Sequence, residues 1–193
     1  MKHYATMILI ATLALTCAAQ APQAAPAAQA QAGQAAPAAQ APPANPLVTE
    51  AKGSYSNVKN NILKAAEKMP EENYSFSPTK EERPFIQVVA HVADSQVRAC
   101  GAVKGEQRQP DAASKKTKAE LMAALKASFD LCDAAFDSLT DTSAAERISI
   151  GRNQRSRLSL LWGNTGHDME QYAIMSGYMR SKGLVPPSAE PRQ

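Results

Sequence analysis

The stretch Gly166 to Ser188, GHDMEQYAIMSGYMRSKGLVPPS, decides how the rest of the chain is read. It carries no proline before Gly183 and the Pro186-Pro187 pair, which together stop a helix. Upstream, Leu160, Asn164, His167, Gln171, Ile174 and Tyr178 recur at intervals of three and four, with Leu161, Asp168, Tyr172, Met175 and Met179 beside them. The pattern predicts one long amphipathic helix from about Ser156 to Lys182. His167 and Gln171, four residues apart, stand one above the other on it, and Glu170 can share their side. Polar groups on an inward face cost free energy unless something satisfies them. His91 is the one other histidine that a second helix could bring to meet His167, since His3 lies at the extreme N-terminus.

Working outward, the preceding segments repeat the helical pattern. Thr117 and Glu120 have capping-box spacing, and Met122, Leu125, Phe129, Cys132, Phe136 and Leu139 then form the most regular stripe in the chain. Thr79 and Glu82 have the same spacing, so an earlier helix is expected to start near them with Pro84 in its first turn. Phe85, Val88, Val92, Ser95, Ala99 and Ala102 continue that helix, with His91 beside Val88 and Val92, and Gly101 or Gly105 ends it. Asn45 or Thr49 caps the first helix, whose stripe is Val48, Ala51, Tyr55, Val58, Ile62, Ala65 and Met69 and whose stop is Pro70. Gly53 weakens the start of this helix by about 1 kcal/mol relative to alanine. Asp141 to Asn153 reads as irregular, with a short β-branched piece at Ile148 to Ile150 and a break at Gly151.

Four amphipathic helices with almost no strand signal and no internal repeat imply an all-α four-helix bundle. The polar connection Lys104 to Lys116 is longer than an antiparallel hairpin needs, which favours an up-down-down-up path. Cys100 and Cys132 then fall at similar heights on parallel helices, and a disulfide is expected; two buried thiols are the alternative.

The first quarter contributes nothing to this core. Lys2, the apolar run Met7 to Cys17 and the small residues Cys17-Ala18-Ala19 read as a secretory signal peptide over residues 1–19. An acylated Cys17 is the alternative, and its lipobox is poor. Residues 20–45 collapse to Ala, Pro and Gln, a composition that predicts a disordered tether. The bundle is assigned to residues 46–188 and a disordered tail to 189–193. The expected location is exported, periplasmic or extracellular, with no segment long enough to span a bilayer.

Net charge excludes one class of partner. The chain carries +3, or +2 without Lys2, and neither Arg152, Arg155 and Arg157 nor Lys115, Lys116 and Lys118 is interleaved with aromatic residues for base stacking. No nucleic-acid partner is expected. Asp94, three residues after His91, could orient an imidazole, although a solvated helical aspartate is the plainer reading; Trp162 could line a pocket or simply pack.

The segments VVAHVADSQ (Val88–Gln96), AALKASFDLCDAAFDSL (Ala123–Leu139) and GHDMEQYAIMSGYMRSKGLVPPS resemble the DinB family, over Pro46 to Ser188. The resemblance implies an up-down-down-up bundle and a divalent metal held by three histidines, one on the second helix and two spaced by four on the last. His91 matches the first position and His167 the second, but the third falls on Gln171. An amide carbonyl is a harder and weaker donor than imidazole toward zinc, nickel or iron. Glu170 is the alternative ligand, or a catalytic base. A zinc, nickel, manganese or iron ion is therefore expected to bind weakly or not at all. The resemblance further implies a thiol-dependent transferase or a hydrolase, a small-molecule partner with thiols among the candidates, and a homodimer as a common arrangement. The alternative is a metal-free binding or structural module that keeps the fold.

Overall fold

The computed structural model describes residues 44–191. The expected signal peptide, Cys17 and nearly all of the expected tether lie outside them. Helix α1 is Pro46–Lys68, α2 Phe85–Lys104, α3 Lys118–Asp137, α4 a single turn at Asp141–Ala144, and α5 Arg157–Ser181; strands β1 (Arg147–Ile150) and β2 (Asn153–Ser156) precede α5. No described helix is long and apolar enough to cross a membrane.

Side-chain bonds fix the directions of the four long helices. Lys52 pairs with Asp137 and Lys59 with Asp133, so α1 and α3 are antiparallel. Arg157 reaches the Val103 carbonyl while His167 meets His91, so α2 and α5 are antiparallel too. Cys100 and Cys132, each near the C-terminal end of α2 and α3, are joined by a disulfide with Cα atoms 5.0 Å apart, as expected where those two helices run parallel and in register. The result is an up-down-down-up bundle. A cross-link closing a loop of this size contributes about 3 to 4 kcal/mol by constraining the unfolded chain.

The core follows the predicted stripes. Tyr55, Val58, Ile62, Ala65 and Met69 of the first stripe are buried against Leu125, Phe129, Cys132 and Phe136 of the third. The Thr117–Glu120 capping box forms with both of its bonds. Despite Gly53, α1 begins at Pro46: Asp141 of α4 accepts hydrogen bonds from the Leu47 and Val48 N–H groups, while Asn45 accepts from the Asp141 N–H. Two orphan donors at the first turn are thereby satisfied from across the fold.

Three expectations need correction. The second long helix starts at Phe85, not near Thr79, because Pro84 occupies the N-cap and forces the residue before it away from helical geometry. Its buried face is rotated relative to the predicted stripe: Gln96 is fully buried and Ser95 only partly. The segment after α3 is more ordered than its composition suggests. Thr140 caps α4 through Ser143, and β1 and β2 form a hairpin with Ile150 opposite Asn153. Gly151 adopts φ 58° at the first position of the two-residue loop, where a type II′ turn demands glycine. The Lys68 ammonium at the end of α1 donates to Glu190 at 2.5 Å and to the Val185 carbonyl at 2.9 Å.

Candidate metal centre

Most of the buried polar side chains belong to α2 and α5. His91 and His167 come from opposite helices, and their Nε2 atoms lie 2.9 Å apart with the rings edge to face. In that contact one nitrogen donates and the other accepts. Burial lowers the pKa of His91, and His167, Arg83 and Arg98 lower it further against the opposing charge of Asp94. His91 is therefore a neutral imidazole at neutral pH, the form that ligates a metal.

Behind the pair stands a network the sequence did not reveal. Asp168 is wholly buried, and its Oδ2 accepts from Gln96 Nε2 at 2.5 Å and from Asn164 Nδ2 at 3.4 Å. Asn164 also donates to Gln96 Oε1 at 3.0 Å, and that same oxygen packs against the Cys132 sulfur. Asp168 Oδ1 has no hydrogen-bond partner among the described residues, and neither has His167 Nδ1; the two atoms are 3.7 Å apart. That gap is beyond a hydrogen bond, yet a small rotation of the imidazole closes it. Burial pushes the Asp168 carboxyl up, against the opposing pull of His167 and Gln96.

Sequence reasoning missed Gln96 and Asp168 by one helical step each. The signal was present. Gln96 precedes Cys100 by one turn, so an inward Cys100 places Gln96 on the core face. Asp168 is seven residues from both Leu161 and Met175, which are buried.

The remaining candidates divide. Gln171 is buried one turn beyond His167 and lines a small cavity together with Glu82, Arg83, Val88 and Tyr178. Glu170 is exposed, on the solvent side of α5. Asp94 is neither solvated nor turned to His91: its carboxylate accepts from the Ala112 and Ala113 N–H groups at 2.8 and 3.3 Å and pins the α2–α3 crossover. Trp162 is 52% exposed on α5 rather than packed in the core. Arg155 donates to Ser159 at 2.9 Å and packs over Gly163, and Lys118 donates to the Glu67 and Met69 carbonyls at the end of α1. These two cations hold the fold together.

The model of the DinB superfamily matches residues 54–175. This chain belongs to the DinB superfamily. A DinB-like protein from Bacillus cereus superposes with a TM-score of 0.64 at 12% identity, over 72% of this chain and 95% of the other. One from Bacillus subtilis gives 0.59 at 17% identity, over 77% and 100%. No curated protein matches. At these identities the neighbours of this DinB-superfamily bundle establish a shared fold, and the chemistry has to be argued from its own residues.

The donor set fits a divalent ion in part. Two nitrogens ligating one tetrahedral zinc ion at about 2.0–2.1 Å stand about 3.3–3.4 Å apart, and the two Nε2 atoms, in hydrogen-bond contact at 2.9 Å, would have to separate by only a few tenths of an ångström to reach that spacing. The unpartnered Nδ1 of His167 beside a buried carboxylate is the arrangement that fixes a ligating imidazole's tautomer. Against this, among the described residues no three His, Cys, Asp or Glu side chains converge into a metal-binding group. The third ligand, if drawn from this face, is the Gln171 amide.

Proposed function

We propose that this protein is an exported DinB-type metalloenzyme, a transferase or hydrolase acting on a small molecule, with His91 and His167 as the paired nitrogen ligands of its metal centre and Gln171 as the third donor. The observation that carries the reading is the 2.9 Å approach of the two Nε2 atoms across antiparallel helices. A divalent ion bound there supplies Lewis acidity, which polarises a substrate oxygen or lowers the pKa of a thiol or water.

The chain's own residues do the rest. His91 presents a neutral imidazole because burial disfavours its cation. Asp168, oriented by Gln96 and Asn164, accepts the Nδ1 proton of His167 after a small ring rotation and so leaves Nε2 as the donor to the ion. Glu170, on the exposed side of α5, acts from solvent as a proton acceptor rather than as a ligand. The Cys100–Cys132 bridge supports the export assignment, since disulfides persist in oxidising compartments.

A second reading is favoured by Gln171 itself: a metal-free module that retains the bundle and its pocket. Metal analysis of protein purified without a histidine tag separates the two. Under zinc, nickel or manganese supplementation the wild type is expected to hold about one equivalent, lost in His91→Ala, and Gln171→His is expected to tighten it. A wild type that holds none while Gln171→His does would establish the metal-free module.

A further inference from the structure

A cavity of about 470 Å³ opens beside His91, on the side of α2 facing the crossover loop. Ligand pockets of small molecules fall in this range. Ile86 and Ala90 supply an apolar wall, His91 lies at the boundary with the histidine pair, and Arg83, Lys115 and Lys116 supply three cations. One carboxylate, Asp94, also lines it, but both its oxygens are committed to the Ala112 and Ala113 N–H groups. Asp111 pairs with Lys115 at 2.7 Å from the loop above. Among the described residues no carboxylate pairs with Arg83 or Lys116.

An apolar wall joined to unpaired cations is complementary to one kind of ligand. From this we infer that the cavity binds a small organic anion, a carboxylate or phosphate carried on a compact apolar body, with the oxyanion between Arg83 and Lys116 and the body against Ile86 and Ala90. The guanidinium of Arg83 offers paired donors to either oxyanion, and Lys116 adds a mobile point charge. A ligand so placed sets its opposite end beside His91. That this anion is the substrate of the proposed metal centre rests on the reading above; the anion site itself needs no metal.

The test is therefore run on the full described bundle with its natural flanks, first with chelator present. Benzoate and phenyl phosphate are titrated separately while the His91 Cε1–H resonance is followed, with benzyl alcohol as the neutral control. At least one anion is expected to saturate the shift at low-millimolar concentration or below, and the better of the two identifies the oxyanion. Arg83→Gln and Lys116→Gln each weaken that binding about fivefold or more; circular dichroism verifies that these exposed substitutions leave the fold intact. The inference is overturned if neither anion saturates, if benzyl alcohol binds as well, or if both substitutions leave the affinity unchanged. Repeating the titration with zinc reports on the metal reading separately: anion binding that persists in chelator but ignores zinc supports the cavity while removing the link to the metal centre.

Discussion

Both pairs of antiparallel helices bury polar side chains, and they settle them differently. Between α1 and α3 the Tyr55 hydroxyl lies 3.0 Å from the Phe129 carbonyl and 2.9 Å from the Asp133 carboxylate, which also receives Lys59 at the edge of solvent. Every group there has a partner, and Phe129 and Phe136 pack against the Tyr55 ring. Between α2 and α5 the same kind of interior holds Gln96, Asn164, Asp168 and two histidines, yet Asp168 Oδ1 and His167 Nδ1 are left without partners. A buried polar group without a partner costs about 1–3 kcal/mol. The first interface leaves no polar group open; the second leaves an acceptor and a ring nitrogen open, and these are the atoms on which the proposed metal centre draws.

The sharpest way to break this contrast is on the apolar side. Phe129→Ala removes a fully buried ring from the α1–α3 interface and is expected to cost about 3–5 kcal/mol in urea unfolding, with metal stoichiometry unchanged in the folded variant. A parallel loss of metal binding would show that the two halves are not separable.

Tyr55→Phe probes the same interface through pH. Burial, reinforced by Asp133, raises the Tyr55 pKa well above its ordinary value. Above about pH 10 the unfolded tyrosine loses its proton while the folded one keeps it, so stability falls by about 1.4 kcal/mol per pH unit from this group. Below pH 10 both states are protonated and no slope arises. The variant is expected to lose about 1–2 kcal/mol at neutral pH and to unfold along a correspondingly shallower alkaline slope. Tyr74, also raised by burial, supplies part of what slope remains. An unchanged slope would mean that Tyr55 is not held neutral by this interior.

The smallest effect on stability is expected on the polar side. Asp168→Asn keeps the shape of a carboxyl whose charge burial already disfavours, so folding should change by no more than about 1 kcal/mol. Zinc affinity measured by calorimetry should nevertheless fall about 10- to 100-fold, because the amide no longer fixes the His167 tautomer. A large loss of stability with unchanged affinity would place Asp168 with Tyr55, as a structural residue.

Much of this arrangement is legible in the sequence, and the rest is not for identifiable reasons. The stripes of α1 and α3 have a single strong phase, since Ile62, Leu125 and Phe129 have apolar partners three or four positions away, Val58 and Ala65 or Met122 and Cys132, while charged or amide residues such as Asn61, Lys126 and Asp130 fall on the other faces. Helices α2 and α5 mix polar and apolar residues around much of their circumference, so a phase error of one residue exchanged Ser95 for Gln96 and put His167 rather than Asp168 at the centre of the buried face. The capping box at Thr117 was readable because both partners are local. The cap that Asp141 supplies to α1 was not, because it joins positions 93 and 94 residues apart. His91 and His167 were found as a pair because histidine is rare in this chain; how closely they approach is a property of the packed bundle alone.

The central claim is that these two imidazoles ligate one ion through Nε2 while His167 keeps its Nδ1 proton toward Asp168. Long-range proton–nitrogen correlation spectra of the imidazole rings, recorded during a zinc titration, test it most directly. The account predicts that both Nε2 resonances move together to metal-bound shifts at one equivalent, with His167 Nδ1 remaining protonated throughout. Movement of only one ring, ligation through Nδ1, or no change at several equivalents would contradict it.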